Sequence, residues 1–212
     1  MRNIPVFSTE NGVASLTLKE IPYSGAAYIK IQDSAEPLLF MKECCDFCCL
    51  AGAESVYATG NDALKAFPVH TAILRMCRSK EGLPDTDAAL FPLQEKTLSM
   101  WRELYNKRMS GIPNASYMTI SDSQTLLCEG NGYFVHRGNT LLGIGISSSD
   151  TISCVISAVH GAGRDVLCAL SRALLSDTVV IEVASVNTAA IRLYERLGFI
   201  QTDEVSVWYK IK

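Results

Sequence analysis

The sequence predicts a mixed α/β fold, and three observations carry that expectation. The second half of the chain alternates between strand-like and helix-like apolar patterns. Clusters of Gly, Pro, Asn and Asp separate those segments. The chain has 212 residues, 48% of them hydrophobic, which is ample material for one large core or two small ones.

In the first half, Gly12 to Lys19 and Ala26 to Gln32 read as strands. Glu36 to Leu50 reads as a helix, with Pro37 near its first turn, where a missing N–H is tolerated. Ser55 to Ala58 is a short strand, Asn61 to Phe67 a short helix, and His70 to Arg78 another strand. Ser79 to Thr86 contains Gly82 and Pro84 and is the best linker candidate. Two domains are therefore expected, 1–84 and 85–212.

In the second half, Ala89 to Leu93 reads as a strand and Thr97 to Met109 as a helix, which Gly111, Pro113 and Asn114 then break. Gln124 to Glu129, Gly132 to His136 and Thr140 to Ile146 read as successive strands, the last two joined by a turn at His136 to Asn139. Thr151 to Val159 is a further strand. A loop from His160 to Asp165 and a helix from Val166 to Leu175 follow. Val179 to Val186 and Val205 to Ile211 complete the strands.

Composition narrows the function. The formal charge is −3 with no strong basic cluster, so nucleic acid is not an expected partner. No apolar run is long enough to span a bilayer, and Met1 to Gly12 lacks the apolar stretch of a signal peptide. A cytoplasmic protein without membrane partners is expected. Cys44, Cys45, Cys48 and Cys49 lie in one helical stretch flanked by Leu38, Leu39, Phe40, Phe47 and Leu50. No His or second Cys cluster follows at zinc-site spacing, so core thiols are expected and no metal.

The most informative segment runs from Asn187 to Phe199. It follows the apolar run Val179 to Val186, and the pattern turns abruptly helical at Asn187. Asn is a good N-cap, and Gly198 suits the position just past the helix end. Ala190, Leu193, Tyr194 and Leu197 recur at three- and four-residue steps and share a face. Asn187 and Tyr194 are about two turns apart, so they lie nearly in line, roughly 10 Å apart along the axis.

This strand followed by N-x-x-A-x-x-L-Y-x-x-x-G-F resembles the closing motif of the GNAT superfamily, the acetyl-CoA-dependent N-acetyltransferases. The resemblance covers Asp87 to Lys212 and implies the GNAT fold, a central mixed twisted sheet flanked by helices. It implies that acetyl-CoA is the co-substrate, that Asn187 contacts the pantetheine arm, and that Tyr194 sits at the CoA sulfur as general acid. The chemistry is coherent on its own terms. Acyl transfer from a thioester expels a thiolate, and a Tyr with a pKa of about 10 holds a proton it can donate. The acceptor expected is a primary amine on a small molecule or peptide. A homodimer is compatible with this reading. The alternative is a catalytically inactive GNAT-fold protein that binds CoA or another ligand.

The resemblance also implies a pyrophosphate loop, Arg/Gln-x-x-Gly-x-Gly/Ala, between the central strand and the next helix. Here the strand leads into His160, Gly161, Ala162, Gly163, Arg164 and Asp165. Starting the motif at His160 matches Gly163 but puts Asp165 at the last small position. Starting it at Ala158 matches Gly161 and Gly163 but lacks the basic or amide residue. The His160 alignment is preferred because it leaves a helix of usual length from Val166. In it Asp165 is a concern, since a carboxylate at a helix N-terminus competes with a diphosphate. Ser157, Ala158 and Val159 are implied to pair with the pantetheine amides as an added strand would.

A general base is less legible. Glu129 and Glu182, each read as lying on a strand, are the candidates, and His136 and Asp150 are weaker. Acceptor specificity is implied for Trp101, Tyr105, Lys107, Arg108 and Gly111 to Tyr117. Comparing Val56–Leu64 with Val183–Ile191, strand–Asn–helix recurs. The N-terminal half is therefore read either as a degenerate GNAT-like repeat, since tandem arrangements of this kind are known in the superfamily, or as an unrelated α/β extension.

Overall fold

The computed structural model describes residues 5–212, so the first four residues of the Met1 to Gly12 stretch lie outside it. The chain forms two compact units. One contains the chain up to Ile73 together with Glu204–Lys212, and the other is Leu74–Asp203. The boundary expected at residue 84 therefore falls inside the second unit, and the C-terminal residues belong with the first. Secondary-structure pattern could not reveal this, because two strands continue through both units.

The first unit holds β1 (Val6–Thr9), β2 (Gly12–Thr17), β3 (Ala26–Ser34) and β4 (Ser55–Thr59). It also takes part of β5 (Val69–Ser79) and of β11 (Ile200–Lys210). β1 and β3 pair antiparallel with β2, β3 and β4 run parallel, and β11 pairs antiparallel with β4. A short helix, α1 (Ile21–Ser24), precedes β3, and neither it nor β1 was expected. α2 (Pro37–Leu50) buries Phe40, Met41, Cys44 and Cys48 against Ala27, Ile29, Val56 and Ala58. Cys44 and Cys48 pack as small hydrophobes, and burial pushes both thiols up to about 12.

The second unit contains β6 (Ala89–Pro92), α3 (Leu98–Met109), α4 (Ile120–Glu129), β7 (Gly132–Arg137), β8 (Thr140–Ser148), β9 (Thr151–Ser157), α5 (Gly163–Ala173), β10 (Thr178–Ala184) and α6 (Thr188–Arg196). Its strands are ordered β11, β5, β10, β9, β8, β7, β6. The strands feed two cores, and irregularities in the β7–β8 and β8–β9 pairings shift which core a residue enters. Phe134, Ile144, Cys154 and Ile156 pack with Trp101, Tyr105 and Leu126 of α3 and α4. Val135, Leu142 and Ile152 pack with Val166, Leu167 and Leu170 of α5 and with Tyr194 and Leu197 of α6. β8 admits α5 closely because Gly143 and Gly145 lack side chains. A Cβ at Gly145 would stand 2.2 Å from Leu170 Cδ1, and one at Gly143 would stand 2.7 Å from Val166 Cγ2.

One element differs in kind from expectation. Gln124 to Glu129 is not a strand but the end of α4. Thr119 caps that helix in a capping box, its Oγ1 accepting from the Asp122 N–H at 3.1 Å while the Asp122 carboxylate accepts from the Thr119 N–H. Local capping decides the conformation over the short apolar run of Leu126 and Leu127.

Candidate active site

The site begins with a parallel pair of strands that do not stay paired. β9 and β10 are in register at Thr151 with Val180 and at Ile152 with Ile181, and no further pair joins them among the described residues. On its other edge β9 remains paired with β8 as far as Ser157. The Ala158 N–H donates to the Leu142 carbonyl at 2.8 Å. Successive strand residues turn their amides to opposite edges, so Val155 and Ser157 present theirs to the opening. The strand end expected to pair with a ligand is thus available at Ser157 but not at Ala158. The Ala158 carbonyl is taken as well, accepting from Arg108 Nη2 at 2.8 Å. Val159 is exposed, and its carbonyl accepts from the Ala162 N–H.

The turn after β9 enters α5. Gly161 has φ +82°, and a Cβ there would meet nothing within 4 Å, so the turn's backbone lies open. Gly163 is the first residue of α5, and a Cβ there would stand 2.9 Å from Leu193 Cδ2 and 3.2 Å from Ser157 Oγ. The helix starts three residues earlier than expected, which removes the reason for preferring the His160 alignment. In the Ala158 alignment Gly161 supplies the left-handed turn and Gly163 the close helix contact. His160 and Arg164 are exposed beside the turn, and Ala162 is buried beneath it. An N-terminal turn of this kind presents unpaired N–H groups suited to an anion.

Asp165 lies in the first turn of α5, but its carboxylate is held on the flank. Oδ2 meets Arg137 Nη2 at 3.0 Å, and Oδ1 accepts from the Thr86 hydroxyl at 3.1 Å.

α6 forms the other wall. Asn187 caps it, its Oδ1 accepting from the Ala190 N–H at 3.3 Å, which leaves its Nδ2 able to donate elsewhere. With Val186, Thr188 and Ala189 it faces Gly111, Ile112 and Pro113 across a cleft of about 380 Å³. The Gly111–Pro113 loop and the Asn187 helix, separate in sequence, therefore share one cleft. In the same loop Asn114 has φ 61°, and both polar atoms of its side chain are enclosed without a partner among the described residues. Trp101 and Tyr105 are core residues. Their rings stack at 5.6 Å, and Trp101 Nε1 donates to the Tyr133 carbonyl. Lys107 and Arg108 are exposed.

Tyr194 sits on α6 with 6% of its surface exposed, its ring 5.8 Å from that of Phe199. Burial, with the Cys154 thiol nearby, holds the phenol pKa above its ordinary value. No hydrogen bond to its hydroxyl is present among the described residues, and its oxygen is not among the fully enclosed unpaired atoms. The ring is thus embedded while the oxygen keeps an outlet. Arg78 fixes the end of this helix by donating to the carbonyls of Leu197, Ser79 and Glu81, next to Gly198 at φ +83°.

The two carboxylates considered as bases are both exposed. Glu129 is exposed at the last position of α4, not on a strand. Glu182 is exposed on β10, on the face opposite the buried Ile181 and Val183, and pairs with Arg75 Nη2 at 2.9 Å. No group of three or more His, Cys, Asp or Glu suited to a metal occurs among the described residues, and no helix there is long and apolar enough to cross a membrane.

A mixed sheet flanked by helices is the GNAT fold. Solved structures agree on that fold. A functionally unknown conserved protein from Staphylococcus epidermidis superposes with TM-score 0.62 at 11% identity, covering 98% of this chain and 93% of that one. A putative acetyltransferase from Pyrococcus horikoshii gives 0.60 at 12% identity, over 95% and 69% of the two chains. A GCN5-related N-acetyltransferase from Kribbella flavida gives 0.57 at 10%, over 98% and 88%. No protein-family model matches the sequence, and no curated protein matches it.

Proposed function

We propose that this chain is an N-acyltransferase that moves the acetyl group of acetyl-CoA to a primary amine on a small molecule or peptide. The observation that carries this reading is the unpaired edge of β9 beside β10, ending in an open glycine turn at the start of α5. An extended ligand with amides and a diphosphate fits that sequence of groups. The free amides of Val155 and Ser157 suit the amides, the Gly161 turn and α5 N-terminus suit the phosphates, and Asn187 keeps its Nδ2 free to donate.

When bound, acetyl-CoA supplies an activated acyl group. The chain's own residues then do two things. The cleft between Gly111–Pro113 and Asn187–Ala189 holds the amine beside the thioester, which removes much of the entropic barrier. Tyr194 donates its proton, or a hydrogen bond, to the departing sulfur. Its raised pKa keeps it protonated throughout the neutral range. A low-polarity setting disfavours a thiolate as it does a phenolate, so donation to sulfur is worth more there than in water. The amine's proton leaves to water or to a carboxylate. For that role Glu182 must first exchange its partner Arg75.

That ion pair favours a second reading, a CoA-binding module that performs no chemistry. The two separate in one assay. Purified protein is incubated with acetyl-CoA and a panel of amines, including peptide N-termini, lysine side chains, polyamines and amino sugars, and free thiol is followed. Thiol release that depends on the amine is expected. Acetyl-CoA binding with no amine-dependent release across the panel selects the module.

A further inference from the structure

A carboxylate in the first turn of α5 is out of place beside a diphosphate, and this fold has an arrangement that deals with it. Both oxygens of Asp165 are engaged from one side, by Arg137 from the end of β7 and by Thr86 from the segment before β6. Arg137 also binds Asp87 at 2.6 Å, and Arg172 of α5 binds Asp85 at 2.7 Å. The segment Asp85–Asp87 is thereby fastened to α5 and β7, which brings the Thr86 hydroxyl to Asp165. The Asp165 side chain is only 22% exposed, so its charge is less screened than that of a surface group.

We propose that Arg137 and Thr86 are positioning residues for co-substrate binding: they hold the Asp165 carboxylate on the flank of α5 and offset its charge, leaving the turn at Gly161–Gly163 free for a diphosphate. The proposal rests on the acyl-CoA reading above. Without Arg137 the carboxylate keeps its charge and loses its main tether. It then repels the phosphates and is free to fold over the N–H groups they need. Asp165 is thus tolerated only with its partner, and removing both should be harmless where removing the partner alone is not.

The test is binding of unacylated CoA by calorimetry, with thermal stability followed in parallel. It uses wild type, Arg137→Gln, Asp165→Asn, the double variant, and Arg137→Lys. Arg137→Gln is expected to weaken CoA binding roughly five- to tenfold, as one uncompensated like charge near a diphosphate would. The loss should shrink in high salt. Asp165→Asn should bind at least as tightly as wild type, and the double variant should return to within about twofold of Asp165→Asn. Arg137→Lys keeps the charge and should stay near wild type. Unchanged binding in Arg137→Gln, or a double variant as weak as Arg137→Gln, overturns the proposal and leaves the acyl-CoA reading intact. If Arg137→Gln does not fold, Asp165→Asn decides alone, since weaker binding in that variant means the carboxylate helps rather than hinders. No CoA binding by wild type removes the acyl-CoA reading and the proposal together.

Discussion

Replacing Tyr194 with Phe should move stability and activity in opposite directions. The ring is embedded with Phe199 and Leu197, and Phe keeps that packing. What is lost is a hydroxyl with no protein partner among the described residues. A fully buried unpaired hydroxyl costs about 1–3 kcal/mol, but this oxygen keeps an outlet, so removing it should return only about 0–1 kcal/mol. For a chain of this size that is a rise in Tm of roughly 0–4 °C. The same change removes the proposed proton donor. General acid catalysis contributes about 10²–10⁴-fold, and a phenol with a raised pKa is a weak acid, so the low end applies. Turnover should fall about 100-fold, a loss of about 2.7 kcal/mol in the transition state. Affinity for acetyl-CoA should change by less than about threefold, because the donor acts on a charge that develops only during reaction. Thermal melts, calorimetry with acetyl-CoA and steady-state thiol release measure the three quantities on one preparation. Turnover within twofold of wild type would refute the assigned role. A Tm lowered by more than about 4 °C would show that the hydroxyl is paired in the fold and that the burial argument is wrong.

Other outcomes follow from the same geometry. Gly145→Ala should destabilise the protein by about 1–3 kcal/mol or more, since the new methyl meets both Leu170 and the Cys154 carbonyl; an unchanged Tm in thermal unfolding would contradict that packing. Stability should also fall as pH rises from 9 toward 12. The buried thiols of Cys44, Cys48 and Cys154 are each pushed up to about 12, so over that window the unfolded chain releases protons that the folded chain retains, and folding is disfavoured. Melts across that range should flatten when Cys154 is replaced by Ala, relative to the Ala variant's own value at pH 8, and an unaltered slope would contradict the assignment.

Much of the second unit was legible because its signals are local. The N-cap at Asn187, the glycine after α6 and the three-four spacing between them set that helix from its own residues. β7 to β10 announced themselves through short apolar runs bounded by turn residues. α4 was misread because Leu126 and Leu127 looked like a strand, while the Thr119–Asp122 capping box that decides the matter lies just upstream. The start of α5 was placed too late because Gly161, Ala162 and Gly163 read as loop. Gly163 in fact opens the helix, packed close against Leu193. The partners of Asp165 were out of reach of the sequence. Thr86 and Arg137 come to it from 79 and 28 positions away, and no local spacing encodes that meeting. The burial of Tyr194 belongs to the same class, being set by strands and helices that assemble around α6.

The central claim is that acetyl-CoA lies along the free edge of β9, and amide hydrogen exchange with and without acetyl-CoA tests it most directly. Peptides covering Val155 to Gly163 should exchange more slowly in the presence of saturating ligand, with a smaller slowing around Asn187, while β2 and β3 stay unchanged. Uniform slowing across the chain, or protection confined to segments outside β9 and its turn while acetyl-CoA is demonstrably bound, would contradict it.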